Sequence, residues 1–479
     1  YHNTHSFYDR ALTQMPWYRD LDLKRHGAHY LEPELNVALL TRDGPALEWW
    51  TDFERTYTSF ACFSRRDAET ARRWRDEFAP IVERIIIPEA QAPPLPPEKR
   101  MALLARSAEG RRLLEVSRFS PREFVLREFE HPVVQAGLLF FNGLREVDLR
   151  ERGFGHHIPA LLASKGKAQM CCGGSARLAQ ALVSAVEEAG GEVLLETEPA
   201  EILVEGERVV GVETTDGEQL KARHFVASGL NPQQTFLDLM AEGVLPRKWR
   251  DRAAAFRYNV VAPLFGLYLE LKEAPHYEMA ERHPHINQAF MVILGLEQPA
   301  DFDALVRQHE AGRIPPTIAW GSTPTRFDPS QAPAGKHTAF MWEKLPYALD
   351  GDPKRWDVVK EEHGRRIFAK WAEHAPNLKD ALQESFVRSP LDVERQLPNM
   401  RGGDLLVGAF SDDQVGYHRP FPGGGEYRGY LKGLYLCGSS SHPGGNITGL
   451  PGYNCAQVLL ADLGVELDWA PGALIDRLP

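Results

Sequence analysis

Leu434-Tyr435-Leu436-Cys437-Gly438-Ser439-Ser440-Ser441-His442-Pro443-Gly444-Gly445-Asn446-Ile447-Thr448-Gly449-Leu450-Pro451-Gly452-Tyr453-Asn454 decides how this chain is read. Leu434–Cys437 has the length and apolarity of a buried strand. A glycine- and serine-rich loop comes next, and Cys455–Leu463 then reads as an apolar helix. Residues 402–452 hold 14 of the chain's 40 glycines, so this loop is no isolated turn. Glycine lets backbone approach a ligand closely. A helix start adds unpaired N–H groups and a partial positive charge. Together they suit a phosphate, or the edge of a ring that becomes anionic. A purely structural turn is the other reading, and the full succession of strand, GSSSHPGG, GLPG and helix favours the ligand site.

Upstream, Ala176–Ala189 is an amphipathic helix with Leu178, Leu182, Val183 and Val186 on one face, ended by Gly190-Gly191. Short strands are predicted over Glu192–Leu195, Ala200–Val204, Val209–Thr214, Gln219–Ala222 and His224–Ser228. That order fits a dinucleotide-type layer in which a meander replaces one crossover helix. Leu264–Leu271, Phe290–Leu294, Pro316–Gly321 and Thr338–Glu343 read as strands and Pro353–His374 as a helix, which makes a separate mixed sheet. Near the start, Asn36–Leu40 and Ala46–Trp50 flank a turn at Thr41–Gly44, as a hairpin does. Residues 64–87 are predicted helical, kinked at Pro80 and ended by Pro88, and Gln91–Pro97 is a stiff connector. The expected class is α/β, with a Rossmann-like layer, a mixed-sheet substrate domain and a helical insertion. The expected segments are 1–60 (mixed), 61–165 (helical substrate or lid region), 166–230 (middle of the nucleotide-binding domain), 231–400 (substrate domain) and 401–479 (end of the nucleotide-binding domain).

With 479 residues, 43% hydrophobic and 25% charged, the chain is neither disordered nor fibrous. Its net charge of −11 argues against a nucleic-acid partner. Five scattered cysteines form no disulfide framework, which points to a reducing, cytoplasmic setting. No apolar run is long enough to span a bilayer. Val133–Phe141 reads as core, with a substrate tunnel or a peripheral membrane contact as the alternatives.

The tail LYLCGSSSHPGGNITGLPGYNCAQVL (434–459) resembles the C-terminal flavin motif of phytoene desaturase and carotenoid isomerase-like flavoproteins, and within them the branch of pyridine nucleotide-disulphide oxidoreductase domain-containing protein 2. Residues 173–218 resemble that family's middle FAD segment, and SGLNPQQTFLDLM (228–240) resembles the stretch just after it. YRDLDLKRHG (18–27) and PYA (346–348) resemble further landmarks. The resemblance implies FAD as cofactor and a hydrophobic small molecule as substrate. It places Gly438 and Ser439 at the diphosphate and ribityl, Gly449, Leu450, Pro451 and Gly452 at the ring, and Ala200 at the adenine. It also sets Gly173 and Gly174 near flavin and substrate. The family opens with strand–GxGxxG–helix. Here the first 100 residues contain only Gly27 and Gly44, so the chain is expected to begin downstream of that element rather than to have lost it.

His442 is the candidate proton shuttle, with a hydrogen-bonded loop residue as the alternative. Tyr417 and Arg419, beside His418, are candidates to line the site. Cys171-Cys172 read as packing, since no electropositive setting for a thiolate is visible. His156-His157 and His283-Pro284-His285 lack a carboxylate or Cys at standard ligand spacing, so no metal is expected. The expected activity is hydride transfer from a hydrophobic unsaturated or cyclic substrate to flavin N5. Flavin-dependent double-bond isomerisation or reduction, and a non-catalytic scaffold that has lost FAD, are the alternatives.

Overall fold

A computed structural model describes residues 1–4, 6–143 and 147–466, with side chains omitted over 141–143. Fifteen strands form in chain order: β1 (Asp9–Arg10), β2 (Tyr30–Leu31), β3 (Leu35–Leu39), β4 (Leu47–Trp50), β5 (Ala168–Cys171), β6 (Pro199–Glu205), β7 (Arg208–Thr214), β8 (Gln219–Lys221), β9 (Val226–Ser228), β10 (Leu264–Leu271), β11 (Met291–Leu294), β12 (Ala319–Ser322), β13 (His337–Lys344), β14 (Leu382–Arg388) and β15 (Leu434–Leu436).

Seven of them build one mixed sheet in the order β14-β10-β13-β12-β11-β3-β4. Every neighbour pair in it is antiparallel except β11–β3. The sheet is buried on both faces, which is why Leu264–Leu271 is apolar almost throughout. Alternate residues serve opposite cores. Val37, Leu39, Met291, Ile293, Phe340 and Trp342 face the helical region. Ala38, Phe265, Leu267, Leu269, Val292 and Met341 face the helix Trp356–His374, through Trp356, Ile367 and Trp371. The hairpin β3–β4 forms as its sequence implies, but it joins the substrate sheet.

The helices of 53–163 pack on the first face. Trp74 stacks on Phe124 with ring centres 4.9 Å apart, and Phe140 meets Trp320 at 5.4 Å, tying insertion to sheet. Val134, Leu138, Leu139 and Phe140 are core residues, whereas the side chain of Phe141 lies outside the described residues. Arg65–Ile81 stays helical through Pro80 and continues past Pro88 to Ala90, against the expected kink and stop. A π-helical turn at Val82–Ile86 sits between the two prolines. Its wider hydrogen-bond ring takes up the donor and the space that Pro88 denies a regular helix.

The remaining layer holds the meander β6-β7-β8 and the parallel pair β9–β15. Ile202, Val209, Phe236, Leu434 and Leu436 form the core between them. Residues 192–195 form no strand, contrary to expectation: no described segment pairs with them, and Leu195 is 81% exposed. Among the described residues no helix is long and apolar enough to cross a membrane.

Candidate functional site

β9 and β15 run parallel, so both carboxyl ends open on one crevice, the usual ligand position in such layers. Gly229 and Gly438 close that end. A Cβ on Gly438 would overlap the Gly229 carbonyl oxygen, so only glycine lets the two turns touch. Beyond them the loop runs to the helix Leu450–Asp462, capped by Gly449 at φ +64°. Asn446 and Ile447 also take left-handed conformations, at φ +74° and +58°. For β-branched Ile447 this is strained, and the strain is imposed where its side chain is 40% exposed. Such a turn has the shape of a ligand seat rather than of a packed core.

The loop's polar groups point the same way. Among the described residues, the amides of Ser439 and Ser440 have no acceptor in the chain. Ser441 Oγ, Arg419 Nε and His418 Nδ1 are buried without a hydrogen-bond partner. Buried orphans are rare in native folds, and donors gathered beside a helix start fit a pyrophosphate. Ala200 falls in a bulge, since Pro199 opposes Thr214 and Glu201 opposes Glu213; its peptide drops out of the ladder and is open to a ligand.

A cavity of about 500 Å³ adjoins the turn. Asn446, Ile447 and Thr448 form one wall, Ala11, Leu12 and Met15 a second, and Val82, Ile87, Phe140, Leu161 and Met291 an apolar third. The junction is therefore open on this side. On the other side the Trp17 ring lies against Gly449, and its Nε1 donates to the Thr448 carbonyl at 2.6 Å. A second cavity of about 230 Å³, walled in part by Trp49, Trp50 and Phe53, shares Tyr8, Arg10 and Leu161 with the first. Arg10 Nη2 donates to the Leu161 carbonyl at 2.6 Å, making a partition between the two.

Arg419 does not line the cavity. It is 1% exposed and grips the carbonyls of Ala409, Gln414, Val407, Gly408 and Ser439 at 3.0–3.5 Å. Burial pushes its pKa down to about 10, so it stays charged near neutrality. Asp404 works beside it, accepting the amides of Asn259, Leu406 and Gly408 at 2.8 Å each. Tyr417 sits in a short turn whose carbonyl leaves no room for a side chain on Gly425, and it too lies off the cavity.

Gly173 and Gly174 adopt φ +78° and +97°. The Gly173 amide donates to Asp328 Oδ2 at 2.6 Å, which pins this loop to the sheet domain. Cys171 is buried and its thiol is pushed up to about 11, mainly by desolvation. Burial raises Cys172 as well, so both are thiols near neutral pH, as their packing role implies. His156 bonds Ser117 Oγ at 2.8 Å and meets no metal ligand among the described residues.

His442 is placed differently from a proton shuttle. It is partly buried, its Nε2 donates to the Glu89 carbonyl at 2.9 Å, and Tyr427 donates to its own carbonyl at 2.7 Å. Desolvation, then the charges of Arg419 and Arg100, push its pKa down to about 4. The ring is thus neutral at pH 7 and acts as a clasp. Asn454 and Gln457 extend that clasp by donating to the carbonyls of Ala90, Ala92 and Gln91. Sequence reasoning passes over these two, because nothing in it distinguishes an amide that sews a connector down from one on a surface.

The clasp has a pH signature. A histidine held neutral in the fold but free to protonate when unfolded adds stability above pH 6.5, which is lost as pH falls toward 4. His442→Gln should flatten the decline of unfolding free energy between pH 6.5 and 4, by less than the full ~1.4 kcal/mol per pH unit because the ring keeps some solvent. Denaturant titrations at fixed pH measure this; curves that run parallel would refute the assignment.

A layer with a glycine cradle at its strand ends, a mixed-sheet substrate domain and an apolar chamber between them define an FAD-dependent oxidoreductase. The family model described as flavin containing amine oxidoreductase matches residues 51–352, and the chain belongs to that family. It is 29% identical to a limonene dehydrogenase polypeptide of Castellaniella defragrans, over 98% of this chain and 87% of that protein. It is 27% identical to pyridine nucleotide-disulfide oxidoreductase domain-containing protein 2 of Rattus norvegicus, over 93% of this chain and 83% of that one. Among solved structures, an oxidoreductase from Methanosarcina mazei superposes with a TM-score of 0.52 at 12% identity, covering 97% of this chain and 90% of that one, a likeness of fold alone.

Proposed function

We propose that this FAD-dependent oxidoreductase dehydrogenates a compact, apolar, unsaturated substrate in the chamber beside Asn446–Thr448. The observation that carries the reading is that chamber. Its volume of about 500 Å³ suits a small molecule, and its walls are mainly aliphatic. The likeness to a limonene dehydrogenase supports a cyclic hydrocarbon of similar size.

The loop amides of Ser439 and Ser440 would hold the pyrophosphate of FAD, the Ala200 peptide its adenine, and Gly449–Gly452 the edge of its ring. When bound, FAD supplies the two-electron acceptor. The protein's part is to position and to exclude water. Leu12, Met15, Phe140 and Leu161 press the substrate toward the strained turn. Trp17 and the Arg10–Leu161 bond close the exits on either side.

Anaerobic mixing of FAD-loaded protein with limonene or a related cyclic terpene should bleach the flavin absorbance. Bleaching by none of these, with turnover only after prior reduction of the flavin, would replace dehydrogenation by isomerisation or reduction. Met15→Trp fills the chamber from the side away from the sheet. It should raise KM for such a substrate at least ~10-fold, a loss of about 1.4 kcal/mol in binding, with little change in melting. Unchanged KM would move the substrate elsewhere.

A further inference from the structure

His283 and His285 acquire the carboxylate that the local sequence does not offer them. Glu48, from edge strand β4, brings a carboxylate oxygen to them, and one donor atom from each of the three residues lies within 4.8 Å of the others. His285 Nε2 and Glu48 Oε1 are 2.6 Å apart. We propose that Glu48, His283 and His285 form a binding site for a divalent first-row transition ion, with Zn²⁺ as its representative. Two imidazoles and a carboxylate are a borderline donor set that suits this class rather than Ca²⁺ or Mg²⁺.

Four observations support the site. Bond lengths of about 2.0–2.2 Å place tetrahedral donors roughly 3.3–3.5 Å apart, and the present spacings bracket that value, so side-chain torsions alone complete the geometry. The second carboxylate oxygen of Glu48 accepts Trp50 Nε1–H at 2.8 Å, and the Glu48 amide donates to Ser59 Oγ at 2.9 Å, so outer groups already aim the ligand. The Glu48 side chain is only 9% exposed, yet among the described residues no Lys or Arg pairs with it. A buried carboxylate whose one ionic partner is a histidine lacks a permanent counter-charge, and a metal supplies one. His285 keeps 35% of its side chain in solvent, which leaves the ion a way in and room for water on it.

Pro284, between the two histidines, begins the short turn Pro284–Gln288 that leads into β11. The ion would therefore clip this turn to the edge of the seven-stranded sheet. None of the three ligands lines either cavity, so the role is structural and separate from the flavin chemistry.

The test uses untagged, FAD-loaded full-length protein, stripped with a chelator and then given ZnCl₂ alone. The wild type should retain about one Zn²⁺ per chain after desalting and melt at a higher temperature with zinc than without. His283→Asn, His285→Asn and Glu48→Gln should each lower zinc affinity at least ~100-fold and abolish the thermal shift. The two histidines are partly exposed, so their variants fold and keep the comparison valid. Wild-type protein that retains no zinc, or histidine variants that bind it as tightly as wild type, would overturn the site.

Discussion

Gly438→Ala should lose most of its flavin and about 2–3 kcal/mol of stability, the usual scale for forcing one methyl into packed backbone. The new Cβ meets not a side chain that can swing away but the carbonyl of Gly229. Relief requires parting β9 from β15 at the end that carries the cradle, so cofactor and fold are lost together. Gly452→Ala is the matched control. Its Cβ finds nothing nearer than the Cys437 carbonyl oxygen at 3.9 Å, and alanine favours a helix over glycine by up to about 1 kcal/mol. That variant should melt at or above wild type. Any flavin it loses then reports the ring's position at the helix start. Retained absorbance after desalting and the denaturation midpoint are the two readings; a Gly438→Ala protein with both unchanged would refute the close approach.

Arg419→Met should be the more destructive change to the loop at 404–414. It removes the shared donor to five carbonyls and the charge nearest Asp404, whose carboxyl burial already pushes upward. Breaking a buried ionic arrangement on one side costs about 3–5 kcal/mol, against a total stability on the order of 5–15. Arg419→Lys keeps the charge but not the planar fork, so it should recover only part of the loss. Both variants should release FAD more readily, because Arg419 holds Ser439 in place through its carbonyl. Denaturant midpoints within experimental scatter of wild type for the methionine variant would show that water replaces the guanidinium.

The cradle was legible because its chemistry is local: strand, glycines and helix succeed one another within thirty residues, and each imposes its own backbone demand. Leu264–Leu271 was legible for a similar reason, since burial on both faces writes itself as an unbroken apolar run. The sheet's membership was not. The hairpin 35–50 shows that two strands pair with each other, but nothing in Val37 names Met291 as its neighbour. Glu192–Leu195 illustrates the converse, an apolar stretch with strand-like composition and no ladder to join. His442 looked titratable because its ordinary pKa is near neutrality, and only its surroundings move that value. Glu48 escaped notice as a ligand because spacing rules see neighbours in sequence, whereas the fold brings it from the far side of the helical insertion.

The one parallel pairing in the large sheet sets a timetable for biosynthesis. β3 leaves the ribosome early, yet its partner β11 emerges only after the helical insertion and the meander have been made. At about 5–20 residues per second, Val37 waits roughly 13–50 s for Met291. Throughout that interval a short strand, apolar on both sides, stands with one edge bare. The nascent chain therefore depends on early docking of 53–163 or on a chaperone to shield it, and a cell that overproduces the protein faces aggregation at this strand before the flavin cradle exists.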